Sequence, residues 1–160
     1  MKSVIVYYSY SGNTKKTAEV LAGYLRQKGG VDIIELKALD ESKSFFGQAS
    51  RAFWRKRARI QLPDTDLSSC DLICFGTPVW AFGPAPAMNA YLDNCKGVAG
   101  KEAVLFTTYG SGAGNTRCLD YMQNILAYKG VKTFKRFSIQ QFKVKDAEFT
   151  VGKIKEALSV

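Results

Sequence analysis

The stretch YYSYSGNTKKTAE, residues 7–19, leaves an apolar run through two serines, a glycine, an asparagine and a threonine before helix-forming residues begin. A bare change of direction needs a glycine or an asparagine and little else. From Ser9 to Thr14, every residue except Tyr10 is small, hydroxylated or an amide. Ser9, Ser11 and Thr14 offer hydroxyl donors, Asn13 an amide, and Gly12 lets the backbone curl closely without a Cβ in the way. The helix that follows directs the positive end of its dipole, and its free N–H groups, at the same spot. That combination suits a doubly ionised phosphate. It is neither the glycine-lysine P-loop pattern nor GxGxxG. An ordinary serine-rich turn capped by Asn13 would use the same residues, so the stretch alone leaves both readings open.

Outward from this turn, periodicity gives a regular alternation of strands and helices. SVIVYY is strand 1. Ala18, Leu21, Ala22 and Leu25 then mark one helix face, ended by Gly29 and Gly30. VDIIELK is strand 2, and DLICFGT is strand 3, apolar enough throughout to be central. Met88, Tyr91, Leu92 and Cys95 mark another helix, with prolines at its entrance. EAVLFTT is strand 4, Leu119, Met122 and Leu126 mark the next helix, and strand 5 runs from about Val131 to Ile139. Ala147, Val151, Ile154 and Leu158 mark a final helix, for which Asp146 is the expected N-cap. A less regular helix is expected over about Ser42 to Arg59, with Phe45, Phe46, Ala49, Phe53 and Ile60 on one side and Trp54 on the other. Five βα units with short links predict an α/β fold, a doubly wound five-stranded parallel sheet with helices on both faces. Residues 1–160 are expected to form a single domain.

In such a sheet the binding crevice lies outside the carboxyl ends of the strands. The loops there are chemically unusual: SYSGNT after strand 1, GTPVWAFGPAP after strand 3 and TTYGSGAGNT after strand 4. The links at the other end are plain glycine and lysine turns. Trp80 and Phe82 could lie against a planar ring; a core tryptophan closing the sheet end is the competing reading. Tyr109 could cover the other ring face, with Gly110, Ser111, Gly112 and Gly114 letting backbone groups reach a heterocycle's polar edge; a plain surface loop is the alternative. Together the three loops describe a cradle for a phosphate, a linker and a flat ring.

On these motifs the chain resembles the flavodoxin-like FMN-binding proteins over essentially its whole length. SYSGNT is similar to the flavodoxin phosphate loop. GTPVWAFGPAPAMNAYL and TTYGSGAG resemble the two loops that flank the isoalloxazine, in the form seen in flavodoxin-like oxidoreductases. The resemblance implies strand order 2-1-3-4-5 with FMN at the switch point. It implies Ser9, Tyr10, Ser11, Gly12, Asn13 and Thr14 around the phosphate. Thr77, Pro78, Val79, Trp80, Ala81 and Phe82 would lie beside the ring, with Tyr109, Gly110, Ser111 and Gly112 opposite.

Composition bounds the chemistry. With 46% hydrophobic and 23% charged residues the chain reads as a globular protein. No secretory leader or apolar run of spanning length is visible, so a cytoplasmic protein is expected. There is no histidine, which removes the commonest general base and leaves no zinc set for the four cysteines, none of them in CxxC spacing. Buried, reduced thiols are expected, with no catalytic side chain and no metal. Net charge is +9, and twelve of the 23 basic residues fall in two acid-free stretches, residues 42–63 and 129–145.

That basic balance departs from electron-shuttling flavodoxins, which resemblance would make acidic. The first stretch, with Arg51, Trp54, Arg55 and Arg57, is either a solvated helix or a surface for an acidic redox partner such as a ferredoxin or reductase. Peripheral membrane contact through its aromatics is a further reading, and nucleic acid is disfavoured because no recognition pattern accompanies it. Two functions follow from the resemblance. One is an FMN electron-transfer protein serving redox partners. The alternative is an NAD(P)H-dependent FMN oxidoreductase reducing a quinone, a flavin or another small acceptor. A cofactor-free interaction domain is a third class, at odds with three intact loops. Two aromatics clamping both faces of the ring would favour the carrier; an open face would favour the enzyme. Monomer and homodimer both remain open.

Overall fold

The first strand is a run of apolar residues that buries every side chain after Lys2, and such a strand belongs inside a sheet rather than at its edge. A computed structural model places it there, and describes residues 1–37, 63–110 and 112–159. The helix expected over residues 42–59, with its basic and aromatic side chains, lies outside the described residues, as does Ser111. Strand β1 (Lys2–Tyr8) leads into α1 (Asn13–Arg26), then β2 (Gly30–Leu36) and β3 (Leu72–Trp80). A two-residue strand β4 (Gly83–Pro84) precedes α2 (Pro86–Asn94) and β5 (Glu102–Tyr109). The chain continues through α3 (Asn115–Tyr128), β6 (Thr133–Gln140), a 3-10 turn (Gln141–Lys143) and α4 (Ala147–Leu158).

The order β2-β1-β3-β5-β6 is parallel throughout. It is the expected 2-1-3-4-5 once the short β4, antiparallel to the tip of β3, is set aside. One sheet face packs Val6, Phe75 and Leu105 against Met88 and Tyr91 of α2 and Met122 and Leu126 of α3. The other packs Ile5, Cys74, Phe106 and Phe137 against Leu21 and Leu25 of α1 and Ile154 of α4. All four cysteines are buried in these layers, and burial pushes the Cys74 thiol up. Asp146 caps α4, its carboxylate accepting from the Phe149 amide at 2.9 Å. Among the described residues, no helix is long and apolar enough to cross a membrane.

Strand β3 runs past its expected end at Thr77 to Trp80. The loop read there is a hairpin, with Val79 opposite Pro84 and Trp80 opposite Gly83. Its two central residues, Ala81 and Phe82, both have left-handed φ, 46° and 63°. Such a two-residue turn matches the twist of its strands and normally takes Asn-Gly, which is why Ala-Phe carried no turn signal.

Tyr7 supplies an alkaline test of this packing. Burial first, then the Glu35 carboxylate beside it, push the phenol up to about 12. The folded state thus prefers the neutral phenol, whereas the unfolded chain ionises near the ordinary value of about 10. This contribution is complete below pH 10 and disappears as pH climbs to about 12, an expected loss of roughly 2 kcal/mol. Denaturant midpoints measured across that window should fall, and Tyr7→Phe should flatten the fall. An unchanged slope in the variant would remove Tyr7 from the account.

Candidate functional site

At the carboxyl ends of the strands the β1–α1 turn, the β3–β4 hairpin and the end of β5 surround one cavity of about 730 Å³. That volume lies within the range of cofactor pockets. Tyr10, Ser11 and Asn13 supply one wall, and Pro78, Val79, Trp80 and Ala81 another. Thr108, Gly110 and Gln141 complete it. Among the described residues no carboxylate lines it.

The turn after β1 has the geometry of an anion cradle. Gly12 sits at the N-cap of α1 with φ 85°, and open space surrounds the position a Cβ would take. Asn13 is the first helical residue, and no side chain caps the α1 amides. Its amide instead donates to Ser11 Oγ at 3.1 Å, so the reading of Asn13 as a plain cap does not hold. No acidic residue occupies the first turn. Thr14, fully buried, shares a hydrogen bond of 2.8 Å with Thr108 Oγ1, which ties the turn to the end of β5. Ser9 Oγ is buried without a hydrogen-bond partner. An orphaned buried hydroxyl costs about 1–3 kcal/mol, so its presence beside uncapped amides fits an anion that would satisfy it. A phosphate monoester fits these residues.

The hairpin wall differs from its expected form. Trp80 is 6% exposed and meets both Tyr8 and Tyr10 edge-on, at ring separations of 5.7 and 5.6 Å. It is therefore an anchored wall residue, not an exposed plate lying flat over a ring. Thr77 is fully buried and does not line the cavity; its Oγ1 accepts from the Ala85 amide at 3.0 Å and holds the hairpin to α2. Phe82 is not among the residues that line the cavity; it is 48% exposed and packs over Gly114, where a Cβ would come within 2.5 Å of its ring. Tyr109 lines a different hollow, because successive strand residues face opposite ways and Thr108 takes the cavity side. Gly112 is exposed, with φ 63°.

Of the residues singled out in the sequence, then, Tyr10, Ser11, Asn13, Pro78, Val79, Trp80, Ala81 and Gly110 meet at one cavity, with Ser9 and Gly12 in the adjoining turn and Thr14 in the first turn of α1. Thr108 and Gln141 are additions. Gln141 follows β6 at the same rim, so the carboxyl-end rule applied to the fifth parallel strand would have found it. The acid-free stretch 129–145 is not one patch. Lys129 and Lys132 precede β6, Lys143 and Lys145 follow it, and eight strand residues separate the pairs by about 25 Å. Only Lys143 and Lys145 stand at the cavity end.

Residues 1–143 match the family described as NADPH-dependent FMN reductase. Among solved structures, a flavoprotein from Lactobacillus acidophilus NCFM in complex with FMN is 23% identical with a TM-score of 0.68, over 92% of this chain and 98% of that one. An NADH:FMN oxidoreductase in its apo form is 18% identical with a TM-score of 0.70, over 99% and 87%. Oxidised flavodoxin 1 from Bacillus cereus is 20% identical with a TM-score of 0.62, over 99% of each chain. The fold is flavodoxin-like, and the cofactor that goes with this family is FMN.

Proposed function

This chain belongs to the family of NADPH-dependent FMN reductases, and on that premise we propose that it is an FMN-dependent NAD(P)H oxidoreductase passing reducing equivalents to a small acceptor such as a quinone or a flavin. The observation that carries this reading over an electron carrier is the open cavity. Trp80 is tucked edge-on between two tyrosines and Tyr109 faces another hollow, so among the described residues no aromatic pair clamps both sides of the space above the β3 tip. A nicotinamide ring needs that room.

Bound FMN supplies the hydride-accepting and hydride-donating chemistry. The protein's part is placement. The amides of the α1 first turn, with the hydroxyls of Ser9, Ser11 and Thr14, hold the phosphate. Pro78, Val79 and Trp80 give the flavin an apolar wall, and the Gly110 backbone with Thr108 and Gln141 offers polar partners for its heterocyclic edge. No side chain has to accept a proton from a substrate carbon, which suits a chain without histidine.

Anaerobic mixing of the FMN-loaded protein with NADPH tests the reading. Rapid loss of the yellow absorbance, with matching formation of NADP⁺, is the expected result. Protein that stays yellow with NADPH and NADH alike, yet is bleached by a reductase, would replace the enzyme with the carrier.

A further inference from the structure

The hairpin that walls the flavin cavity turns through Ala81 and Phe82, both in left-handed conformation, with φ 46° and 63°. A residue with a Cβ resists that conformation, and a bulky one resists it most. Two such residues side by side persist only where the surroundings hold them. The usual occupant of the second position is glycine, so a phenylalanine there has to be explained by what its ring touches. The ring lies on Gly114, the N-cap of α3, whose own φ is 89°. A Cβ at Gly114 would stand 2.5 Å from Phe82 Cδ1, 3.3 Å from Cγ and 3.2 Å from Cα. The backbone of the hairpin tip, and not only its side chain, therefore comes up against the start of α3.

This contact joins two sides of the cavity. Ala81, the residue before Phe82, lines it from the hairpin, and Gly110 lines it from the chain that leads from β5 to Gly114. Glycine at 114 thus serves the left-handed entry to the helix and leaves a seat for the ring as well. The rest of the hairpin is anchored in another way. Thr77 Oγ1 accepts from the Ala85 amide at 3.0 Å, and Asn89 Nδ2 donates to the Pro84 carbonyl at 3.4 Å. Trp80 is wedged edge-on between Tyr8 and Tyr10. Those contacts secure the two arms of the hairpin, whereas the Phe82 ring on Gly114 acts on the turn itself.

We propose that Phe82 is a positioning residue of the flavin site: seated on Gly114, its ring keeps the Ala81–Phe82 turn left-handed and so fixes the wall from Val79 to Ala81 where a flavin can lie against it. The ring acts through the turn and not by touching the flavin. The proposal rests on flavin occupying this cavity, as in the proposed function, and not on which donor reduces it.

Titration of the apoprotein with riboflavin and with FMN, followed by flavin fluorescence, tests this in two variants that both lack the ring. Phe82→Ala leaves a Cβ on a left-handed residue with its support gone. Both flavins should then bind about tenfold more weakly, the cost of ordering about one residue on binding. Phe82→Gly removes the Cβ and supplies the residue such a turn prefers, so both affinities should return to within about threefold of wild type. Equal losses in the two variants would mean that the ring itself serves the flavin, and no loss in Phe82→Ala that the turn stands without it; either result overturns the proposal. Gly114→Ala supplies a second arm. It should weaken both flavins about tenfold with Phe82 present and by clearly less in Phe82→Gly, where the methyl group meets no ring. Equal effects in the two backgrounds would overturn the seat on Gly114 and the proposal with it. These titrations need no turnover. Protein that shows the Phe82 pattern but is not bleached by NADPH keeps the positioning role and loses the oxidoreductase reading; protein that is bleached by NADPH without the pattern does the reverse.

Discussion

Ser9→Ala is expected to move cofactor affinity and apoprotein stability in opposite directions. In the folded chain Ser9 Oγ is buried without a hydrogen-bond partner, a cost of about 1–3 kcal/mol that the hydroxyl imposes whenever the turn holds no anion. Replacing it by a methyl group removes that cost, so the apoprotein should gain about 1 kcal/mol in denaturant unfolding. On the proposed reading, the same hydroxyl would donate to the phosphate of bound FMN. Losing a hydrogen bond to a charged group costs about 1.5–3 kcal/mol, a ten- to hundredfold weaker affinity. Riboflavin, which lacks the phosphate, should bind wild type and variant alike. Flavin fluorescence titrations read the affinities. Equal losses for FMN and riboflavin, or a less stable apoprotein, would mean that Ser9 supports the ring wall or the fold and not the phosphate.

The contrast between what the sequence revealed and what it hid has a simple physical origin. The shape of the turn SYSGNT was legible because it is built from local features: small residues, a glycine in left-handed conformation, and a helix start only one residue away. The five parallel strands were legible because their apolar runs are long and bounded by turns. The edge-on packing of Trp80 was not, since it depends on where β3 stops. The Ala81–Phe82 turn has no glycine or asparagine to announce a hairpin, so the strand seemed to end three residues early. Tyr109 went astray for the same reason. Counted as a loop residue it could point anywhere; as the last residue of β5 it must face away from Thr108, and it does. Even charge misled in this way. The six cations of residues 129–145, close in sequence, are divided by an eight-residue strand: two precede it, Lys135 and Arg136 lie within it, and two follow it at the other end of the sheet.

Gly76→Ala is expected to cost roughly 3 kcal/mol of stability, the upper end of what overpacking a core costs. Gly76 lies in β3, between β1 and β5, directly opposite Phe106. A Cβ there would come within 2.0, 2.3 and 2.7 Å of three atoms of the Phe106 ring. The ring cannot swing clear, because it is fully buried and stacked on Phe137 with centroids 5.4 Å apart and planes 7° from parallel. On a chain of this size the melting temperature should fall by about 10 °C. Phe106→Leu alone leaves a cavity and costs about 2 kcal/mol, but in the double variant the leucine makes room for the methyl group. The two effects should then fall short of their sum by more than about 1 kcal/mol, as for residues in direct contact. The strain also reaches the cofactor site, since Thr77, the next residue, anchors the hairpin whose residues Pro78 to Ala81 form the cavity wall. FMN affinity should therefore drop in Gly76→Ala and recover with stability in the double variant. Additive stabilities would show that the ring yields to the methyl group, and an affinity that stays low after stability returns would uncouple the cavity wall from the packing behind it.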